Sequence, residues 1–214
     1  MPAIRPTPNS TAGIFRNDAP ALGCILMASG EGRRFGGNKL LAPFQGQPLI
    51  RRVLSATDTA LFSRRIVVTR HGEIAGICRE AGIEVILHDK PHRNDAILIG
   101  LENFEDELPE GCMFCPCDQP LLSKGTVETL ARAFLKRPDG IYRLSWRDTP
   151  GSPIIFPKTY FAALKNLPQG KGGSHVLHTS NPEVRFVEAA SAWELRDVDT
   201  AEDLKLLENN CTAR

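Results

Sequence analysis

Residues 22–28 read LGCILMA, apolar at every position, and residues 29–39 read SGEGRRFGGNK, rich in glycine and cations. An apolar run without alternation fits a strand buried on both faces, which is the situation of a strand inside a parallel sheet covered by helices. A glycine-rich loop leaving the carboxyl end of such a strand lies where open α/β sheets bind their ligands. This pair of segments therefore narrows the chain to a helix-covered sheet with an anion-seeking loop.

The rest of the chain follows the same rhythm. Helices are expected over 48–59, 73–81 (with Gly82 as its stop), 95–104 and 123–135, the last with Ser123 as N-cap. Strands are expected over 65–69, 83–87 and 112–115 between them. Beyond Gly140 the pattern loosens, with strands at 140–144, 153–156 and 184–187 and helices at 159–166, 173–179 and 200–208. The alternation predicts one α/β domain, Rossmann-like, with a mostly parallel sheet, helices on both faces and a less regular second half. Residues 1–20, rich in Pro, Thr, Asn and Ser, read as a flexible tail without the apolar centre of a signal peptide, and residues 21–214 as the domain.

Composition excludes several functions. Lys and Arg number 26 against 25 Asp and Glu, a balance that argues against a dedicated nucleic-acid binder. No apolar run approaches the roughly 20 residues of a membrane span. Six Cys in a chain of 214 residues with no secretory signal read as reduced cytosolic thiols, so a cytoplasmic protein is expected. Cys112, Cys115 and Cys117 lack a second ligand pair at zinc-site spacing and read as small buried strand residues.

Three segments carry chemistry. In the first, Gly30, Gly32, Gly36 and Gly37 let backbone N–H groups turn toward an anion, while Arg33, Arg34 and Lys39 supply positive charge, a combination suited to a polyphosphate. It is not a P-loop, because Lys39 lies between Asn38 and Leu40, and its glycine spacing is not that of a dinucleotide fingerprint. In the second, CPCDQP, Asp118 follows an apolar strand between prolines and is either a Mg2+ ligand or a turn residue. In the third, RDVDTAEDL, Asp197 and Asp199 fall on one side of an extended stretch, and Thr200 with Asp203 reads as a capping box.

Together these segments resemble the molybdopterin nucleotidyltransferases, especially the molybdenum cofactor cytidylyltransferases. The family's opening motif, similar to AAGxSxRMGxxK, stands here as the run from Ala28 to Lys39, followed by Leu40 and Leu41. Asp118-Gln119-Pro120 resembles the GDQP of cytidylyl members, where guanylyl members read DMP. Gly151-Ser152-Pro153 with Phe156 is similar to GxPxLF, and Asp197-Val198-Asp199-Thr200 to the closing DIDTPED. The resemblance implies Arg34, Lys39 and Asp118 as the catalytic set. It implies nucleotide contacts at Leu26, Ala28, Ser29, Gly30, Gly32, Arg33, Gly36, Arg93 and Asp95, and Mg2+ held by Asp118 with Asp199, or Asp197, as the second carboxylate. Arg93 to Ala96 stand where family members carry serines near the base, and Gly170 to Ser174 lack the family's acid and arginine, which leaves base and acceptor open.

The implied reaction is Mg2+-dependent transfer of a nucleotidyl group from a nucleoside triphosphate, CTP favoured over GTP, to the terminal phosphate of molybdopterin or molybdenum cofactor, with a molybdenum hydroxylase as the implied partner downstream. Alternatives are guanylyl transfer, transfer to a sugar or polyol phosphate, and a non-catalytic nucleotide- and cofactor-binding chaperone. A dehydrogenase using Arg70 for a 2′-phosphate fits the glycine spacing poorly. Lys171, Ser174 and His175 are candidate acceptor contacts, and Trp146 and Trp193 either stack on a flat ring or pack in the core.

Overall fold

The computed structural model describes residues 21–104, 108–180 and 182–212; of Arg93, Cys211 and Thr212 only the backbone is described, and the N-terminal 20 residues lie outside it. The chain runs β1 (Leu22–Ala28), a hairpin of β2 (Pro43–Phe44) and β3 (Gln47–Pro48), α1 (Ile50–Ala56), β4 (Arg64–Thr69), α2 (Gly72–Glu80), β5 (Glu84–Leu87), α3 (Arg93–Glu102) and β6 (Gly111–Pro116). It continues with α4 (Lys124–Lys136), β7 (Ile141–Trp146), β8 (Thr149–Pro157), α5 (Phe161–Lys165), α6 (Ser174–Ser180), β9 (Val184–Glu188) and α7 (Ala201–Thr212).

Seven strands form one sheet in the order β5-β4-β1-β6-β8-β7-β9. β8 is antiparallel to β6 and β7, while the other neighbours pair in parallel. β1 has β4 on one side and β6 on the other, which explains why it carries no polar residue. Its alternate side chains feed two cores. Leu22, Cys24, Leu26 and Ala28 meet α1, α2 and α4 through Val53, Leu54, Ile74, Cys78, Val127, Leu130 and Phe134. Ile25 meets the other layer, Ala96, Ile97 and Leu101 of α3 with Phe161 and Val176 of α5 and α6. Gly100 allows α3 to lie close on β1, because a Cβ there would stand 2.8 Å from Ile25 Cδ1.

The second half is more regular than its sequence suggests. β7, β8 and β9 extend the same sheet, and β8 starts at Thr149, four residues ahead of the expected strand at 153. Pro150 and Pro153 mask that strand in the sequence, since proline withdraws ladder donors. The expected helix over 48–59 shortens to Ile50–Ala56, with β3 taking Pro48. Ser123 caps α4 as expected, its Oγ accepting from Thr126 N–H at 3.2 Å, and Gly82 follows α2 with φ of 71°. Among the described residues no helix is long and apolar enough to cross a membrane.

Candidate active site

The carboxyl ends of β1 and β6 open into a cleft of about 460 Å³. Beyond β1 the chain folds tightly: Phe35 N–H donates to the Gly32 carbonyl at 2.9 Å. Gly32 has φ of 61°, and a Cβ there would stand 2.0 Å from the Gly37 carbonyl oxygen, so only glycine fits. Asn38 Oδ1 accepts from Leu40 N–H at 3.2 Å and starts a single 3-10 turn, Lys39–Leu41. Leu40 is buried in the core, which anchors the turn and aims Lys39 back across the cleft.

Lys39 Nζ donates to Asp118 Oδ2 at 2.7 Å and to Asp199 Oδ1 at 3.1 Å. Arg34 Nη2 lies 2.8 Å from Asp199 Oδ2. Two cations from the glycine segment thus grip two acids that lie 79 and 160 residues beyond Lys39 in the chain. Asp118 is held because Cys117 N–H donates to the Met27 carbonyl at 3.3 Å. Asp199 is brought to it because Val198, fully buried, donates its N–H to the Asp118 carbonyl at 2.9 Å. Beyond it, Asp203 Oδ2 accepts from Thr200 N–H at 2.9 Å and Asp203 N–H donates to Thr200 Oγ1 at 3.2 Å, the capping box read from the sequence.

Burial draws the Lys39 ammonium down, but the Asp118 and Asp199 carboxylates more than offset it and the net shift is upward, so the side chain stays charged. Asp197, on the same wall, is pushed up to about 6 by lost solvation and then by the Asp118 charge, against the pull of the hydrogen bond from Gln119. Asp118 Oδ1 is buried without a hydrogen-bond partner among the described residues. A buried carboxylate oxygen in that position suits a hard cation.

Residues 24–184 match the MobA-like NTP transferase domain. The chain belongs to that family. It is a nucleotidyltransferase. A probable molybdenum cofactor guanylyltransferase of Bacillus licheniformis is 25% identical over 196 residues, covering 86% of this chain and 95% of that protein. The purine catabolism protein PucB of Bacillus subtilis is 24% identical over 201 residues, covering 88% and 97%. The crystal structure of Rv0371c from Mycobacterium tuberculosis H37Rv superposes with a TM-score of 0.74 at 24% identity, covering 88% of this chain and 98% of that one.

Within this MobA-like domain the cleft lining includes some of the residues expected at the nucleotide and not others. Ser29, Gly30, Gly32 and Arg33 line the cleft beside Arg34, Lys39, Asp118, Asp197 and Asp199. Leu26 and Ala28 do not, because strand alternation turns their side chains into the core and gives the cleft Met27 instead. Gly36 lies outside the lining. Asp95 is the N3 acid of the capping box that opens α3, its Oδ2 accepting from His92 N–H at 2.8 Å, and the cleft is lined there by His92 and Ala96. The side chain of Arg93 lies outside the described residues.

Sequence reasoning missed Glu31, which accepts from Arg70 at 3.1 Å and also pairs with Arg33. It also missed the contact of Ser29 Oγ with His88 Nε2 at 2.8 Å. Burial, then the neighbouring Arg70, holds His88 below its usual range, so it is neutral near pH 7. Cys112, Cys115 and Cys117 are buried free thiols raised well above their usual range by burial. Among the described residues no group of three or more His, Cys, Asp or Glu side chains could hold a metal ion. Trp146 lies under Arg147 and Trp193 packs on the core, so neither faces the cleft. The loop before α6 reaches the start of α3, where Gly170 N–H donates to Asn94 Oδ1 at 2.8 Å and Gln169 contacts His92.

Proposed function

We propose that this nucleotidyltransferase passes a nucleotidyl group, CMP foremost, from a nucleoside triphosphate to the terminal phosphate of molybdopterin or molybdenum cofactor with the help of Mg2+. The observation that carries the reading is the ion cluster of Lys39, Arg34, Asp118 and Asp199 at the mouth of the glycine loop. Asp118 and Asp199 present hard oxygen donors, one of them unpartnered. Such a pair with substrate phosphates is how Mg2+ is usually held, without an all-protein cage. When bound there, the cation neutralises phosphate charge and helps align the triphosphate.

The chain's own groups do the rest. Lys39 and Arg34 exchange their carboxylate partners for phosphate oxygens, and N–H groups of the glycine loop complete the cradle. An oxygen of the acceptor's phosphate attacks the α-phosphorus, the bond to the β-phosphate breaks, and pyrophosphate leaves. A phosphate monoester is already largely anionic near neutral pH, so no general base is required. Catalysis is positioning plus charge stabilisation. The acceptor enters beside His92, toward Lys171 in the loop before α6 and Ser174 and His175 in the first turn of that helix.

The Asp118-Gln119-Pro120 resemblance favours CTP, whereas the name of the Bacillus licheniformis relative favours a guanylyl reading. Pyrophosphate release from CTP and GTP, with molybdopterin or molybdenum cofactor as acceptor, separates the two. Lys39→Ala and Asp118→Ala are each expected to slow that release at least about a hundredfold. A near-normal rate in Asp118→Ala removes it from the site. Tight triphosphate binding with no release would mark a carrier rather than an enzyme.

A further inference from the structure

Gln119 sits in the middle of the Asp-Gln-Pro segment, yet the transfer chemistry leaves it without a task. Its neighbours Pro116, Cys117 and Asp118 line the cleft, and Gln119 does not. It is 1% exposed. Its Nε2 donates to Asp197 Oδ1 at 2.9 Å and, at 3.4 Å, to the Leu195 carbonyl. Two acceptors on that side settle which end of the amide faces them, because a carbonyl turned there would meet a carboxylate and another carbonyl. The side chain is therefore aimed at the C-terminal segment and not into the cleft. Asp197 itself lines the cleft with Asp118 and Asp199. Holding one of its oxygens restricts the rotation of its carboxylate on that wall.

We propose that Gln119 is a positioning residue, which fixes the Asp197 carboxylate on the cleft wall shared with Asp118 and Asp199, and that it takes no part in choosing the base. This rests on the metal–nucleotide reading of the cleft given above. Residues that orient groups around a metal cost about 10–100-fold in metal affinity or activity when removed.

The test compares Gln119→Met, Asp197→Asn and the double variant. Mn2+ affinity is read by electron paramagnetic resonance with a non-hydrolysable CTP analogue present, and kcat, KM and the CTP-to-GTP preference are read from pyrophosphate release. Gln119→Met is expected to weaken Mn2+ binding and lower kcat about tenfold, while the KM for triphosphate at saturating Mg2+ and the base preference stay unchanged. The double variant is expected to lose no more than the worse single variant, because one residue acts through the other. Additive losses, unchanged Mn2+ affinity or a shifted base preference overturns the proposal. If Gln119→Met fails to fold, Asp197→Asn alone decides: undiminished Mn2+ binding overturns it. Mn2+ binding that survives Asp118→Asn would sink the metal site itself, a separate failure.

Discussion

Lys39 serves two purposes at the level of single side chains. Without nucleotide its ammonium, 13% exposed, is the counter-charge that lets Asp118 and Asp199 face each other. Removing it leaves two carboxylates together in a partly desolvated cleft, a like-charge arrangement that costs stability. Lys39→Met is expected to melt about 2–4 °C below the wild-type protein in a chelator, the shift of about 1 kcal/mol for a domain of this size. Added Mg2+ should raise its melting temperature more than that of the wild-type protein, since a cation then replaces the missing ammonium. Equal Mg2+ responses in a calorimeter would contradict this. Arg34 is different: its side chain is 73% exposed, and exposed ion pairs add little to stability. Residue types pointed to Arg33, Arg34, Lys39, Asp118, Asp197 and Asp199, because polyphosphate and cation need such groups, and the family resemblance narrowed the set to Arg34, Lys39 and Asp118 with Asp199 or Asp197. They could not say that Asp95 turns back to cap its own helix, since a carboxylate in the first turn suits a cap and a ligand site equally well.

The elements place these groups by their ends. β1 and β6 stop at one level and release the two loops side by side, while α7 begins with a cap that holds the third segment. The Asp203 carboxyl is drawn below its usual range, first by the Thr200 hydroxyl and then by the Thr200 and Asp199 N–H groups. A depressed carboxyl stabilises the folded state above its unfolded pKa, and this contribution is lost as pH falls through the folded value. Asp203→Ala is therefore expected to cost about 0.5–2 kcal/mol near pH 7. The gap to the wild-type protein should close as the pH drops below about 4; denaturant titrations across that range check it, and a gap that persists at low pH refutes it. The cap was legible because Thr-x-x-Asp is a local pattern. The β2–β3 hairpin was not, for a two-residue strand carries no period.

Across the whole molecule, a site forms only because distant segments converge. Lys39 meets Asp118 and Asp199 across separations of 79 and 160 residues. The closing tie is Val198, fully buried between two acids that face the cleft. Val198→Ala is expected to destabilise the fold by about 0.5–3 kcal/mol and to weaken Mn2+–triphosphate binding, because the segment that brings Asp199 home is loosened. Binding at wild-type strength in a measurably destabilised variant would show that Asp199 needs no such anchor. The sequence by itself determined the α/β class, the order of most elements and the chemical character of the three loops, since buried strands, glycine turns and helix caps are written in near-neighbour residues. Tertiary structure alone decided that Met27 rather than Leu26 meets the cleft, that Gln119 turns away from it, and that Lys39 bridges Asp118 and Asp199. Those facts depend on strand alternation in a packed sheet and on chain closure over long separations, and no local pattern encodes them.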